Sequence, residues 1–466
     1  MKKLTVNQIK EGTGGRLLNG NAFDIAENIC TDSRIAQAGD VFFALIGELH
    51  DAHQYLPQVL ESGCRCVVIS DENAWKQAAD QSSEAENVSA ILVEDTTRAL
   101  QELAAFYLGL LNLKKIAVTG STGKTSTRDL TAYVCGEKYK TQKNTGNLNN
   151  HIGVPLTILS FEEDTQVGVL EMGMDKPGEI DLLARIVKPD VGIITNIGLA
   201  HIENLGSQEG IFQAKMELTG YFDETNVLIA ARDEEFLNRE RIQGPYRLVL
   251  AGTDGKSDFI ISHIEDFGAD GIQFCLEHLG EMHRFRLPIP GRHNAFNAAL
   301  AVAAGLELGI TMEEAARGLA KAQLTDKRLT VRGKNGIKII DDTYNASPDS
   351  MRAAIDVLMK TRGIRNIAVL GDMFELGETS LTQHELIGRY AAQQGVQLLV
   401  AIGRDAEQIA RGAEKEGLEK SFYFERKEEF LEHMDSIIER GDVILVKGSR
   451  GMEMEKIVKK IMEQQE

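Results

Sequence analysis

One turn constrains this chain more than any other feature. The apolar run IAVTG at 116–120 leads into Gly120-Ser121-Thr122-Gly123-Lys124-Thr125, and helix-compatible sequence follows directly. A strand, a glycine-rich turn and a helix point backbone N–H groups at an anion, and the helix N-terminus adds positive potential. Lys124 can reach the β and γ phosphates of a nucleotide, and the Thr125 hydroxyl can hold Mg²⁺. The full G-x-x-x-x-G-K-[ST] pattern places a glycine where Val118 stands, so the loop is a variant. An ordinary glycine-rich turn accounts for the glycines; the Lys-Thr pair at the helix start favours phosphate.

Such a loop belongs in an open α/β sheet, with its ligand at the C-terminal ends of the strands. The flanking sequence agrees. QVGVLEMG and DVGIITNIG read as buried strands, NVLIAA and YRLVLAG follow, and GRHNAFNAALAVAAGLELG reads as a helix ending at a glycine. Strands alternating with helical segments predict a parallel sheet covered by helices. Near 325–328 the pattern restarts: GIKIIDD, NIAVLGD, QLLVAIG and DVILVKG are four more strand-like runs. Before the loop, short runs such as DVFFALIG and CRCVVIS mix with turn residues, and 99–112 has helical spacing. At roughly 150 residues per domain, 466 residues give about three. The expected architecture is α/β in three domains. A small α/β N-terminal domain spans 1–98. A central P-loop-type parallel-sheet domain of the nucleotide-binding kind spans 99–326, and a C-terminal doubly wound, Rossmann-like domain spans 327–466.

Composition narrows the function. With 51 Lys plus Arg against 70 Asp plus Glu, the net charge is −19, which gives no general footprint for nucleic acid. No stretch of about 18 uncharged apolar residues exists to span a membrane, and the N-terminus lacks the apolar core of a signal peptide. Five cysteines are too few and too odd for a disulfide framework and suit a reducing compartment. Cys64 and Cys66 fall on one face if CRCVVI is a strand, as core residues or as part of a metal site needing further ligands.

Two later strands end in residues able to bind metal. Glu171 closes QVGVLEMG, where a carboxylate can meet Mg²⁺; the alternative is a solvated turn residue. His201 follows DVGIITNIGLA, and by itself is as well explained structurally. Lys215 lies fourteen residues further on, in a helical segment. If buried, its ammonium would favour the neutral amine, which can take up CO₂ as a carboxylate-like carbamate. Spacing alone does not separate this from a solvated lysine.

Together these motifs resemble the Mur ligase family, ATP-dependent ligases that build the peptidoglycan precursor, over essentially the whole chain. The family loop T-G-[ST]-x-G-K-[ST] fits 119–125 and accounts for Val118. The resemblance implies nucleotide contacts from Gly120, Ser121, Thr122, Gly123, Lys124, Thr125 and Ser126. It adds Asn294 and Asn297 of RHNAFN, and Arg328 and Asp342 closing from the third domain. It implies metal ligands at Thr125, Glu171 and His201, two Mg²⁺ ions, and a carbamoylated Lys215. NTGNLNNHIGVPLTIL, LEMGM, DDTYNASPDSM, VLGDMFELG and VKGSRG are similar to the branch that adds D-alanyl-D-alanine to UDP-N-acetylmuramoyl-tripeptide. The D-N-P-R motif of diaminopimelate-adding relatives is absent. Asn147 and Asn150 in the first segment, and Ser33 and Arg34 in TDSRIAQAGDVFFALIG, are the implied substrate contacts.

The implied reaction joins a carboxylate to an amine through an acyl phosphate, with Lys124, Arg328, His201 and Lys215 acting at the transferring group. Asn345 is assigned to the nucleotide side, whereas Ser347-Pro348 reads as an N-cap with proline at N1. Lys447, Ser449 and Arg450 follow a strand; they form an exposed basic turn or hold the dipeptide carboxylate or acyl phosphate. A monomeric cytoplasmic enzyme is expected, with the nucleotide-linked tripeptide and the dipeptide as its partners. The alternatives are another Mur-type or folylpolyglutamate-type ligase, or a P-loop switch or binding module. The guanine-reading N-K-x-D motif is missing.

Overall fold

Long apolar runs bounded by turns form strands covered on both faces, and here they line up side by side. The structure, a computed structural model, describes residues 2–463 except His201, Glu234, Asp326 and Asn335. Among the described residues the strands form a five-, a nine- and a six-stranded sheet plus a two-stranded ribbon.

The first sheet runs Arg16–Asn19, Ser89–Leu92, Cys66–Ile69, Asp40–Phe43, Asn28–Cys30, parallel except for its first pair. Cys66 opens its strand, while Cys64 precedes it in a turn that begins at Gly63 with φ 79°. Period 2 therefore does not relate them. Both are buried, but Cys66 packs with Val41 and Val68, and Cys64 with Phe42 and Val67. The helix expected over 99–112 is Thr96–Gly109, started three residues earlier by the Asp95 carboxylate accepting from the N–H groups of Thr97 and Arg98.

The nine-stranded sheet carries the phosphate loop. Lys114–Thr119 lies between Val167–Glu171 and Val191–Ile194, parallel to both. The chain goes from Lys114–Thr119 to the edge strand Thr141–Lys143, returns to Val167–Glu171, and crosses to Val191–Ile194 on the other side. Strand order thus reverses at the loop, where α/β sheets open a crevice. The sheet is not parallel throughout. Phe259–Asp266, Ile272–His278 and Glu281–Leu287 pair antiparallel in succession. Their alternating burial marks a sheet wetted on one side, and Leu279-Gly280, with φ 53° and 80°, makes the tight turn between the last two.

The six-stranded sheet runs Thr330–Lys334, Ile337–Asp342, Asp442–Lys447, Arg365–Gly371, Leu398–Ile402, Ser421–Phe424, parallel after its first pair. Its core splits into one layer on each face, as in a doubly wound sheet. Arg365 and Asp442 start adjacent strands opposite each other. Arg365 Nε and Nη2 donate to Asp442 Oδ1 and Oδ2, both at 2.8 Å, and Asp442 is 1% exposed. This pair registers the two strands whose far ends carry Lys447 and Asp372. Arg365→Met strands a buried carboxylate, so urea unfolding should show a loss on the order of 3 kcal/mol. An unchanged midpoint would mean that water replaces the guanidinium.

Candidate functional site

The C-terminal ends of the nine- and six-stranded sheets face one cleft of about 870 Å³. Its described lining runs from Ser121 to Gly451.

The phosphate loop is docked onto the neighbouring strand end. Asn196 Oδ1 accepts from Thr122 N (2.9 Å), Asn196 O from Ser121 N (3.1 Å), and Ser121 Oγ from Gly198 N (2.9 Å). Gly120 has φ 149°, and a Cβ there would stand 1.8 Å from Thr195 Oγ1; Gly123 has φ 77°. Both positions exclude other residues. Gly123 caps the helix Lys124–Cys135 with no side-chain partner, so the first-turn N–H groups stay available at the cleft. Lys124 Nζ folds back onto the carbonyls of Gly120 (2.8 Å) and Ser121 (3.2 Å). Desolvation lowers its ammonium, Glu171 opposes that, and Arg328 adds to it. The arrangement is a cradle for a phosphate anion.

Beneath the loop lies a group of buried charges. Arg128, 1% exposed, donates to Asp129 Oδ1 (2.6 Å), Glu171 Oε2 (3.2 Å) and Thr325 Oγ1 (2.9 Å). Asp129 also takes Lys143 Nζ on Oδ1 (2.5 Å), with the N–H and hydroxyl of Thr325 on Oδ2 (2.9 and 2.8 Å). Burial alone would raise the Asp129 carboxyl; Arg128 and Lys143 outweigh it and hold the carboxyl below its ordinary value.

Glu171 stands opposite Val118 in register, so its carboxylate reaches the loop. Thr125 Oγ1 donates to Glu171 Oε2 at 2.7 Å, and Asn149 Nδ2 to Oε1 at 2.9 Å. Two adjacent oxygens beside a phosphate cradle fit a Mg²⁺ that completes its shell with phosphate and water. No set of three or more His, Cys, Asp or Glu groups forms a metal site among the described residues. His201 lies outside them. Lys215, in the helix Gln208–Met216, is 1% exposed and has no salt-bridge partner among the described residues. Desolvation and the nearby Lys124 charge push its ammonium well down, so the neutral amine is favoured.

Asp342 ends its strand directly opposite Lys447. Lys447 Nζ donates to Asp342 Oδ2 (2.5 Å) and Asn345 O (2.8 Å), and Asp342 Oδ1 accepts from Leu329 N (3.1 Å). Lys447 and Ser449 are each 2% exposed, which corrects the exposed-turn alternative for both. Ser449 Oγ accepts from Phe374 N (2.8 Å), while Arg450 stays exposed and pairs with Glu455 (2.8 Å). The Arg328 guanidinium lies 3.9 Å over the Tyr344 ring, and its buried Nε has no hydrogen-bond partner. An unpaired donor at the cleft invites an anion.

Asn297 Nδ2 donates to Asn294 Oδ1 (2.9 Å), and Asn294 Nδ2 to Pro290 O (2.7 Å), so Asn294 braces Asn297, which lines the cleft. Asn147, Asn150, Ser126 and Asn345 line it too. Asn150 Oδ1 also accepts from Gly153 N (2.8 Å), and Ser347 N donates to Ser350 Oγ (2.9 Å) at the start of Pro348–Lys360. Ser33 and Arg34 are not brought to this cleft. Arg34 grips Asp32 through Nε and Nη2 and holds that carboxyl at about 2. Sequence reasoning missed Arg128, Asp129, Asn196 and Phe374. An adjacent Arg-Asp pair in the second turn of the helix that follows the phosphate loop is the available signal for the first two.

A carboxyl held below its ordinary value stabilises the fold above about pH 3.9 and loses that as pH falls through the depressed value. Asp129→Asn should therefore cost on the order of 2 kcal/mol at pH 7, with the difference in Tm shrinking as pH falls below the ordinary carboxylate range and through the depressed value. A pH-independent difference would assign the loss to packing.

Family models describe the chain in three stretches: "Mur ligase family, catalytic domain" over 26–108, "Mur ligase middle domain" over 118–305, and "Mur ligase, glutamate ligase domain" over 327–450. The UDP-N-acetylmuramoyl-tripeptide–D-alanyl-D-alanine ligase of Bacillus subtilis (strain 168) is 38% identical, covering 99% of both chains. A crystal structure of MurF from Acinetobacter baumannii superposes with a TM-score of 0.89 at 34% identity, over 99% of each chain. MurF ligase from Thermotoga maritima in complex with ADP gives 0.81 at 27% identity, over 94% of this chain and 98% of that one. With all three stretches matched in order and a relative alike from end to end, the chain belongs to the Mur ligase family.

Proposed function

We propose that this protein is an ATP-dependent ligase that adds D-alanyl-D-alanine to UDP-N-acetylmuramoyl-tripeptide, in the synthesis of the peptidoglycan precursor. The observation that carries this reading is one cleft in which a phosphate loop faces the strand ends of a second sheet, with the buried Lys215 close enough to Lys124 to feel its charge. The end-to-end likeness to ligases of that name and the ADP complex of a relative support it.

The tripeptide's terminal carboxylate attacks the γ-phosphorus of ATP, giving an acyl phosphate and ADP. The dipeptide amine then attacks the acyl carbon and inorganic phosphate leaves. The first step brings two anions together, so it needs positive charge fixed in advance. Gly120 to Ser126 hold the phosphates with their N–H groups, and Lys124 leaves the loop carbonyls for the β and γ oxygens. Arg328 supplies its free donor from the third unit, Asp342 and Asn345 bound the nucleotide there, and Asn297, braced by Asn294, faces the base. Thr125 and Glu171 would hold one Mg²⁺, and His201 with a carbamoylated Lys215 a second; bound there, the ions would supply Lewis-acid charge to the transferring group. The Lys215 amine forms that carbamate by adding CO₂ and releasing a proton. Asn147 and Asn150 guide the peptide arm.

The boundaries 1–98, 99–326 and 327–466 assign the UDP-sugar, ATP and the dipeptide to successive units. Ser33 and Arg34 meet the uridine end of a long substrate, which explains their distance from the transfer cleft. No helix among the described residues is long and apolar enough to cross a membrane. A monomer acting in the cytoplasm on soluble substrates completes the reading.

Phosphate release from ATP with UDP-N-acetylmuramoyl-tripeptide should appear only when D-alanyl-D-alanine is added, with the pentapeptide nucleotide seen by mass. Lysine- and diaminopimelate-containing tripeptides both belong in the assay. Turnover indifferent to the dipeptide would reject this acceptor. ¹³C-bicarbonate should give a carbamate carbon resonance that Lys215→Ala abolishes, together with a loss of activity of about a hundredfold or more. An unlabelled but active protein would leave Lys215 a plain amine.

A further inference from the structure

The loop after the strand Arg365–Gly371 is tied down more thoroughly than a surface turn requires. Asp372 O accepts from Ser449 N (2.9 Å), and its carboxylate accepts from Arg404 N (3.0 Å) and Ala406 N (2.7 Å). Phe374 N donates to Ser449 Oγ (2.8 Å). Between them, Met373 N donates to His384 Nε2 (2.9 Å), and His384 Nδ1 meets Ser380 O at 2.7 Å. His384 is fully buried in the helix Ser380–Gln393. Its two short hydrogen bonds are to backbone groups with fixed roles, and the Ser380 hydroxyl lies further off, 3.4 Å from Nδ1. A carbonyl only accepts, so Nδ1 carries the proton; an N–H only donates, so Nε2 is bare. The ring is held in one tautomer and clamps the loop to its own helix.

The clamped loop presents Phe374, 47% exposed, together with Glu375 and Leu376 to the cleft. Glu375 has φ 62°, a conformation that surrounding contacts must hold in place. Gly377 then faces Glu203 of the central unit, at 3.6 Å from where a Cβ would stand. Strand order sets the relation to the nucleotide. Asp342 ends one strand, Lys447 the next, and this loop follows the third. Two strand spacings place the loop about 10 Å from Asp342 along the sheet edge. A wall made of Phe374 and Leu376, with the exposed Arg450 beside it, matches a small ligand bearing methyl groups and one carboxylate.

We propose that His384 is a positioning residue for the amine acceptor: it fixes the 373–376 loop as the wall against which the dipeptide binds. This rests on the ligase reading above. His384→Leu keeps the bulk but cannot accept from Met373 N, whereas His384→Gln places an acceptor at the same reach. In steady-state assays His384→Leu should raise KM for D-alanyl-D-alanine about tenfold, the equivalent of one lost hydrogen bond, with KM for ATP unchanged. His384→Gln should return KM for the dipeptide to within about twofold of wild type. A role in stability alone would lower the active fraction and leave both KM values where they are, and that result overturns the assignment. So does a parallel rise in both KM values. If wild type itself turns over no dipeptide, the ligase reading fails and takes this one with it; where wild type turns over, the two KM values report on His384 alone.

Discussion

The site depends on Arg128. Its guanidinium is shared among Asp129, the strand-end Glu171 and the connecting residue Thr325. These groups belong to the phosphate-loop helix, the adjacent strand and the chain leaving the central unit. Removing one charge from such a set leaves the others desolvated and unpaired, so the set holds together or fails together. Phosphate cradle, candidate cation oxygens and the departure point to the third unit therefore form one rigid body. Positive φ resumes immediately beyond Thr325, at Lys327 (66°) and Leu329 (49°), outside the network.

The same network resolves an electrostatic tension. A chain of net charge −19 must attract an anion, and it does so by local concentration. Within this partly desolvated space Arg328 makes Lys124 harder to charge, and Lys124 does the same to Lys215. Arg128 is neutralised beneath them and Lys447 is neutralised by Asp342 across the cleft. Among the described residues of the cleft, what is left for an anion is the helix N-terminus, a lysine resting on its own loop carbonyls, and the unpaired Nε of Arg328. Each gains most when phosphate arrives, so the free energy of nucleotide binding is available for bringing the two units together.

The phosphate loop and its two flanking strand ends are legible in the sequence because their meaning is local: residue type, spacing and a strand–turn–helix context suffice. Glu171 is legible for a related reason, as a charge ending a wholly apolar run. The three-unit organisation follows from strand and helix alternation. The burial of Lys447 is not legible, because its partner lies over a hundred residues earlier and only strand order brings Asp342 opposite it. Cys64 and Cys66 share a face only if the strand starts two residues sooner than it does. The antiparallel extension at 259–287 carries a readable alternation, but the parallel pattern before it masks the change of pairing.

Sheet order turns these local features into a geometry for joining two substrates. Sheets that meet by their C-terminal edges direct every strand-end loop into one space, so groups distant in sequence act on neighbouring atoms. Within the third unit the order places Asp342, Lys447 and the Phe374 loop in succession along that edge. In the proposed reaction a nucleotide bounded by the first and an amine held by the last would lie side by side, with the reacting carbonyl between them. Loops fixed to their own sheets by Asn196 on one side and by Ser449 and His384 on the other hold that spacing without help from substrate. An acyl phosphate survives only where water is kept out, and two pre-set walls closing on each other do that better than a flexible lid that must first order itself.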